Sequence, residues 1–290
     1  MGLAGRRRFE EHYTWEGITD RHYLPLLKKR NRGPQGIAPT QELPYTPFFP
    51  DQVDHKALVS AASEFFGIEL AEVESEFHRY HALHEAKGYA RNFGEFKTLC
   101  FEEAFLLFLA LSRYRPTAIA EVGTQHGKST RRILDMVGHL GLSSRITCFD
   151  RVDEVRHFET REAELIVGDI TGHFAEKVLN AFEPSLIFLD IHEYGPLREA
   201  IAEVLATDNC LLAIHDCGRG LCNPRMKLAK DDPNVTSLTG VWERHVLAEL
   251  FGISDPLSDQ LDNAVSATHR LRIFDTTHGL GFIVPNAFIL

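Results

Sequence analysis

Seven acids and imidazoles in this chain stand at or just past the ends of short apolar runs. Glu121 lies near the end of Ala118–Val122, Asp150 closes Ile146-Thr-Cys-Phe-Asp150, and Asp169 follows Glu164–Val167. Asp190 closes Ser185–Asp190 with His192 two residues on, and His215-Asp216 ends the run that starts at Cys210. Carboxylates and imidazoles can accept hydroxyl hydrogens, take a proton or hold a cation. Between the first two acids, Gly123 and Gly127 punctuate Glu121-Val-Gly-Thr-Gln-His-Gly-Lys-Ser-Thr130. Glycines let backbone approach a ligand closely, and the open N–H groups of a following helix point at it. An acid just before the turn favours a ligand with a cationic or hydroxyl-rich part over a bare triphosphate.

Three ligands compete for such a turn. A phosphate-cradling loop needs four residues between its glycines, and Gly123 and Gly127 have one fewer, although Gly127-Lys128-Ser129 copies its second half. A dinucleotide fingerprint needs a third glycine, and only Gly123 and Gly127 are present. S-adenosylmethionine suits the acids best. Glu121 would meet its ammonium group, Asp150 its ribose hydroxyls and Asp169 its adenine edge. In open α/β sheets, ligands bind outside the carboxyl ends of the strands, where these acids stand.

The elements that must position these groups follow from periodicity. From Thr117 on, apolar strand-like runs alternate with helical ones. Strands are expected at Ala118–Val122, Arg145–Asp150, Glu164–Val167, Ser185–Asp190, Cys210–His215, Leu271–Phe274 and Gly281–Val284. Helices are expected at Lys128–Met136, His173–Ala181, Leu197–Leu205 and Gly240–Phe251. This alternation specifies a mostly parallel sheet with helices on both faces. Residues 51–113 read as helical, with Leu70, Val73, Phe77, Tyr80 or His81, and His84 on one face, and Phe101–Leu111 apolar nearly all round. His78, His81 and His84 spread over too wide an arc of a helix to hold one metal and are expected on a surface or half-buried face. Residues 1–50 carry six prolines and read as an irregular arm. The expected organisation is an arm at 1–50, a helical extension at 51–113 and the ligand-binding domain at 114–290.

Composition narrows the class. The arm holds eight Lys/Arg against five Asp/Glu, so the rest of the chain carries about −13 of the total −10. An acidic body argues against binding a nucleic-acid backbone. No apolar run is long enough for a membrane span, and Arg6-Arg7-Arg8 has no apolar segment behind it that would make a secretory signal. Five scattered cysteines fit reduced thiols, and the expected location is cytoplasmic.

Glu121-Val-Gly-Thr-Gln-His-Gly-Lys-Ser-Thr130 resembles the first motif of class I S-adenosylmethionine-dependent methyltransferases. It is similar to the branch that holds macrocin-type sugar O-methyltransferases and cephalosporin hydroxylase-like proteins, written E-[IV]-G-T-x-x-G-x-S-T. Leu189-Asp-Ile-His-Glu-Tyr194 resembles that branch's D-G-D-H-S-Y, and Ala213-Ile-His-Asp216 its fifth-strand ending. The resemblance spans roughly residues 95–285. It implies a Rossmann-like, mostly parallel seven-stranded α/β sheet behind an N-terminal helical extension. It implies S-adenosylmethionine held by Glu121, Gly123, Thr124, Gly127, Ser129, Asp150 and Asp169. The fourth-strand motif is a residue shorter than the family's, and His215 stands where metal-using members often have Glu. Catalysis is expected from His192 and Asp190, and a Mg²⁺ or Mn²⁺ site from Asp190, His215 and Asp216.

The expected acceptor is a hydroxyl of a sugar, nucleotide sugar or other small metabolite. The long loop Gly218–Thr239, with Arg219, Arg225, Lys227 and Lys230, is placed to meet an anionic one. Homo-oligomerisation through the N-terminal extension is a further expectation. Competing readings are a catalytically silent protein of the same fold, a phosphotransferase, and a zinc site at His215, Cys217 and Cys222. Finally, Gly123→Val is expected to abolish cofactor binding with little loss of fold.

Overall fold

The computed structural model of the protein describes residues 53–89, 99–222 and 240–289. The arm at 1–50 and the loop cations Arg225, Lys227 and Lys230 lie outside the described residues.

Seven strands form one sheet: β1 (Ala118–Val122), β2 (Arg145–Asp150), β3 (Glu164–Val167), β4 (Leu186–Leu189), β5 (Leu211–Ile214), β6 (His269–Phe274) and β7 (Leu280–Pro285). Their order is β3-β2-β1-β4-β5-β7-β6. The first five are parallel, and β7 runs antiparallel between β5 and β6. The sheet is therefore mostly parallel and seven-stranded, as expected. Leu186-Ile-Phe-Leu189 and Leu211-Leu-Ala-Ile214 are buried at every position, the signature of central strands covered on both faces.

Helices α1 (His55–Phe66), α2 (Leu70–Lys87), α3 (Phe101–Tyr114) and α4 (Lys128–His139) precede β2. Helices α5 (Tyr194–Leu205), α6 (Glu243–Leu250) and the short α7 (Asp259–Asp262) follow β4. The expected helix at His173–Ala181 is a π-helical turn, Ala175–Asn180. Successive strand residues face opposite sides. Ile119, Cys148, Phe188 and Ala213 join the core under α1, α3 and α4. Ala120, Val122, Phe149, Leu189 and Ile214 join the core under α5 and α6.

The described residues belong to one compact unit. Phe65 and Phe66 of α1 pack edge-on against Phe274 and Phe282 of the sheet. Phe77 and Tyr80 of α2 pack on Phe101 and Phe105 of α3. A fully buried phenylalanine such as Phe105 contributes about 2–3 kcal/mol, so α1–α3 are part of the sheet's own core. The expected face of α2 is buried at Val73, Tyr80 and His84 and exposed only at its first residue, Leu70, and His84, expected to be at most half-buried, is fully buried against Phe101 at 5.0 Å between ring centroids. No helix among the described residues is long and apolar enough to cross a membrane.

The topology creates the site. From β1 the chain steps outward to β2 and β3, then returns to build β4 and β5 on the other side. A crevice opens at the carboxyl ends of β1 and β4, where the order reverses. β4 and β5 end one residue earlier than expected, so Asp190 and His215 stand just beyond them, at the floor of the crevice.

Candidate functional site

The turn after β1 is shaped by its close approach to β4. Gly123 has φ +93°, and a Cβ built on it would lie 2.1 Å from the carbonyl oxygen of Asp190. Its N–H donates to the Phe149 carbonyl at 2.9 Å. The missing side chain is thus required first by the protein's own backbone. This overturns the expectation that Gly123→Val would spare the fold.

A cavity occupies the carboxyl ends of β1–β4. Gly123, Phe149, Asp150, Ile170, Ile191 and His192 are in its wall. Asp150 stands where expected, at the end of β2. Its carboxylate accepts the Gln125 N–H at 2.6 Å and the Val152 N–H at 3.1 Å. A carboxylate already holding an N–H of the glycine turn makes that turn a poor phosphate cradle, which counts against a phosphotransferase.

Five of the expected cofactor residues lie outside the wall of this cavity. Asp169 turns to solvent, where it accepts the Thr171 N–H at 2.9 Å and lies 3.7 Å from Arg151. Hydrogen bonds from the Thr171 hydroxyl and N–H, with the charge of Arg151, hold its carboxyl below the usual range. Gly168, Ile170 and Thr171 line the cavity in its place. Glu121 faces the opposite side of the sheet, fully buried, and accepts the hydroxyls of Ser129 and Thr130. The Cys148 thiol adds a third contact at 3.7 Å. Glu121 therefore pins the first turn of α4 to β1 and is absent from the cavity wall, as are Thr124, Gly127 and Ser129.

Burial pushes the Glu121 carboxyl up from 4.5 to about 7, against the two hydroxyls that favour its charge. The folded protein thus keeps a proton that the unfolded chain releases at a lower pH. Stability from this group is present below about pH 4.5 and is lost as pH rises through about 7. Glu121→Gln should flatten that fall, worth up to about 3 kcal/mol. Denaturant midpoints of the two proteins at about pH 4.5 and about pH 8 check this. Parallel losses in wild type and variant would show that Glu121 is ionised throughout.

Beside the cavity, past β4 and β5, lies a cluster of carboxylates and imidazoles. His215 Nδ1 is 3.4 Å from both Asp190 Oδ1 and Asp216 Oδ1. His192 Nε2 is 3.6 Å from Asp190 Oδ1, and its Nδ1 is 3.8 Å from Asp216 Oδ2. Asp216 is buried with φ +60°, a left-handed conformation that costs a non-glycine residue about 1–3 kcal/mol. Such strain persists only where the surroundings impose it. Burial raises the Asp216 carboxyl, helped by the charge of Asp190. Burial also pushes at Asp190, but His215 and His192 outweigh it and hold that carboxyl below its usual range.

Two residues of this site escape sequence reasoning. Glu243 opens α6, is buried, and meets His192 Nδ1 at 3.0 Å. Burial alone would lower the His192 pKa. The bond to Glu243 and the charges of Asp190 and Asp216 prevail and raise it to about 9. Burial lifts Glu243 itself to about 7. Glu103 of α3 reaches His215 Nε2 at 3.2 Å from the far side. The signal for Glu103 was present: an acid inside a helix that is apolar nearly all round must find a partner.

The cluster has the donor set of a cation site. Asp190, His192 and Asp216 offer ligand atoms that lie within 4.8 Å of one another. His215 Nδ1 and Glu243 Oε2 are buried without a hydrogen-bond partner. Ligand atoms around an ion held at ~2.0–2.2 Å stand roughly 3–3.6 Å apart, close to the separations here. Mixed oxygen and nitrogen ligands suit a first-row divalent ion. The zinc reading does not hold: among the described residues no metal-capable group includes a cysteine. Cys217 is buried and donates instead to the Ile214 carbonyl at 3.4 Å.

No family model matches the chain, and no curated protein does. Solved structures resemble it at low identity. The methyltransferase PaMTH1 of Podospora anserina, bound to S-adenosylhomocysteine, is 14% identical with a TM-score of 0.45, covering 87% of this chain and 100% of its own. The O-methyltransferase TomG of Streptomyces achromogenes, bound to S-adenosylmethionine, is 13% identical with a TM-score of 0.42, covering 81% and 99%. CmcI with magnesium and S-adenosylmethionine is 14% identical with a TM-score of 0.35, covering 47% of this chain and 66% of its own.

Proposed function

We propose that the chain is an S-adenosylmethionine-dependent methyltransferase acting on a hydroxyl of a small acceptor, a sugar or nucleotide sugar, with a divalent cation at Asp190, His215 and Asp216. One observation carries the reading. The cavity holding Asp150 and the acid–imidazole cluster share a wall at His192. A cofactor in the cavity would therefore lie next to groups able to bind and deprotonate a hydroxyl.

Methyl transfer breaks the sulfonium C–S bond, forms a C–O bond and releases the acceptor's proton. Much of the rate can come from holding the two reactants in line. Asp150 can exchange its backbone partners for the ribose hydroxyls. Gly123 leaves the cavity floor bare, and Ile170 and Ile191 give it apolar walls that fit the adenine ring.

His192 is the residue between cofactor and cluster. Against burial, Glu243, Asp190 and Asp216 raise its pKa to about 9, so with no ion bound beside it the protonated form is favoured at neutral pH. As an imidazolium held by Glu243 it can donate a hydrogen bond to the acceptor oxygen. With no ion bound, the carboxylates of Asp190 and Asp216, 3.6 and 3.8 Å behind His192, are the groups that can take the proton. A divalent ion bound by these carboxylates and His215 would supply a lowered hydroxyl pKa.

The test is the Asp150→Ala variant. Losing a charged partner to buried hydroxyls costs ~1.5–3 kcal/mol. S-adenosylhomocysteine affinity, measured by calorimetry, should fall about tenfold to over a hundredfold. A loss below about twofold would remove Asp150, and with it this cavity, from cofactor binding.

A further inference from the structure

We propose that Glu103 is a positioning residue that determines which nitrogen His215 presents to the acidic cluster. The inference rests on the reading of that cluster as a cation site. Glu103 sits in the first turn of α3, far from the cluster in sequence and fully buried. Its carboxylate is a hub of fixed donors. Oε1 accepts the Thr276 hydroxyl at 3.0 Å and the His278 N–H at 2.8 Å. Oε2 accepts the Cys100 N–H at 2.8 Å. His278 Nδ1 approaches the same carboxylate at 3.4 Å.

These donors leave the carboxylate no room to rotate. Two come from the loop between β6 and β7, which is itself clamped to the turn after β5. A Cβ on Gly279 would lie 2.1 Å from the Gly218 nitrogen, and the Cys217 N–H donates to the Gly279 carbonyl at 2.9 Å. The remaining face of Oε2 meets His215 Nε2 at 3.2 Å. An ionised carboxylate only accepts, so Nε2 must carry hydrogen. The other nitrogen, Nδ1, then faces Asp190 and Asp216, each at 3.4 Å. A histidine that binds a metal through one nitrogen and donates the other to a carboxylate is held in tautomer and orientation, and is a better ligand for it. Here the carboxylate comes from the helix that precedes the sheet.

Glu103, His215 and His278 could also be taken as a second cation site. The accounting of lone pairs opposes this. Glu103 already accepts from Cys100, Thr276, His278 and His215, so it has no capacity left for an ion.

The test is Mn²⁺ binding to the full chain saturated with S-adenosylhomocysteine, followed by calorimetry and electron paramagnetic resonance. Wild type should bind one Mn²⁺. Glu103→Gln keeps the shape and removes the charge, and should weaken Mn²⁺ about ten- to hundredfold while S-adenosylhomocysteine affinity stays within about twofold. Thr276→Val removes another contact of the same carboxylate and spares His215. It should change Mn²⁺ affinity less than about threefold, which separates positioning from a general loss of packing. If Glu103→Gln fails to fold, histidine ¹H–¹⁵N spectra of the Mg²⁺-loaded wild type decide instead: His215 should carry its proton on Nε2. Wild-type Mn²⁺ affinity in Glu103→Gln, a proton on Nδ1, or a second Mn²⁺ lost with Glu103 would each overturn the inference. Failure of wild type to bind Mn²⁺ would overturn the cation reading itself.

Discussion

Replacing Asp216 by Asn should raise the divalent-ion concentration needed for half-maximal methyl transfer by about a hundredfold or more, beyond the ~10–100-fold typical of losing a group one contact further from a metal. Cofactor affinity should stay within about twofold. Asp216 is buried, lies 3.4 Å from His215 Nδ1 and 3.8 Å from His192 Nδ1, and is absent from the cavity wall. The substitution keeps the size of the side chain and removes its charge. Asparagine also tolerates the left-handed backbone at φ +60° better than most residues, so the turn should survive. Chelation should abolish transfer in wild type, and added Mn²⁺ should restore it. Metal titrations of initial rate, with calorimetry of S-adenosylhomocysteine, measure both sides. Full activity in chelator, lost only on changing His192, would establish a metal-free mechanism.

Gly123→Ala should cost about 2–6 kcal/mol of stability and weaken the cofactor as well. A left-handed φ of +93° costs a non-glycine residue ~1–3 kcal/mol, and overpacking adds a further ~1–3 kcal/mol. The new methyl would sit 2.1 Å from the Asp190 carbonyl oxygen, which is backbone and cannot swing aside. Relief requires β1 and β4 to part at the crevice, displacing Ile191 and His192 from the cavity wall. Chemical denaturation of the apo protein checks the first effect and S-adenosylhomocysteine titration the second. A stable variant with tight cofactor would mean that the turn after β1 lies further from Asp190 than the structure places it.

The strands and the floor of the site were legible because the carboxyl ends of parallel strands are marked in sequence by a polar residue after an apolar run. Asp150, Asp190, His192, His215 and Asp216 all followed from that pattern. The direction in which an acid points did not. In a parallel strand covered on both faces the apolar run is continuous, so no alternation reveals which side Glu121 takes. Only the pairing of Ala120 and Val122 with the α5 side shows that Glu121 must face α4. Glu243 was hidden for another reason. It opens a helix, where an acid is ordinary by its interaction with the helix dipole alone, and it reaches the site only through tertiary packing. The turn after β3 was misjudged because Asp169 has a local partner in the Thr171 N–H, which a linear reading cannot weigh against a ligand.

The most direct measurement is the thermal stability of the purified chain with S-adenosylmethionine, ATP or NAD, each at the same excess. A ligand that binds only the folded protein stabilises it by about 2.7 kcal/mol at a hundredfold excess over its dissociation constant. S-adenosylmethionine and S-adenosylhomocysteine should raise the melting temperature, Asp150→Ala should remove most of the rise, and ATP and NAD should leave it unchanged. Stabilisation by ATP or NAD, with none by S-adenosylmethionine, would contradict the assignment of the cavity and the function drawn from it.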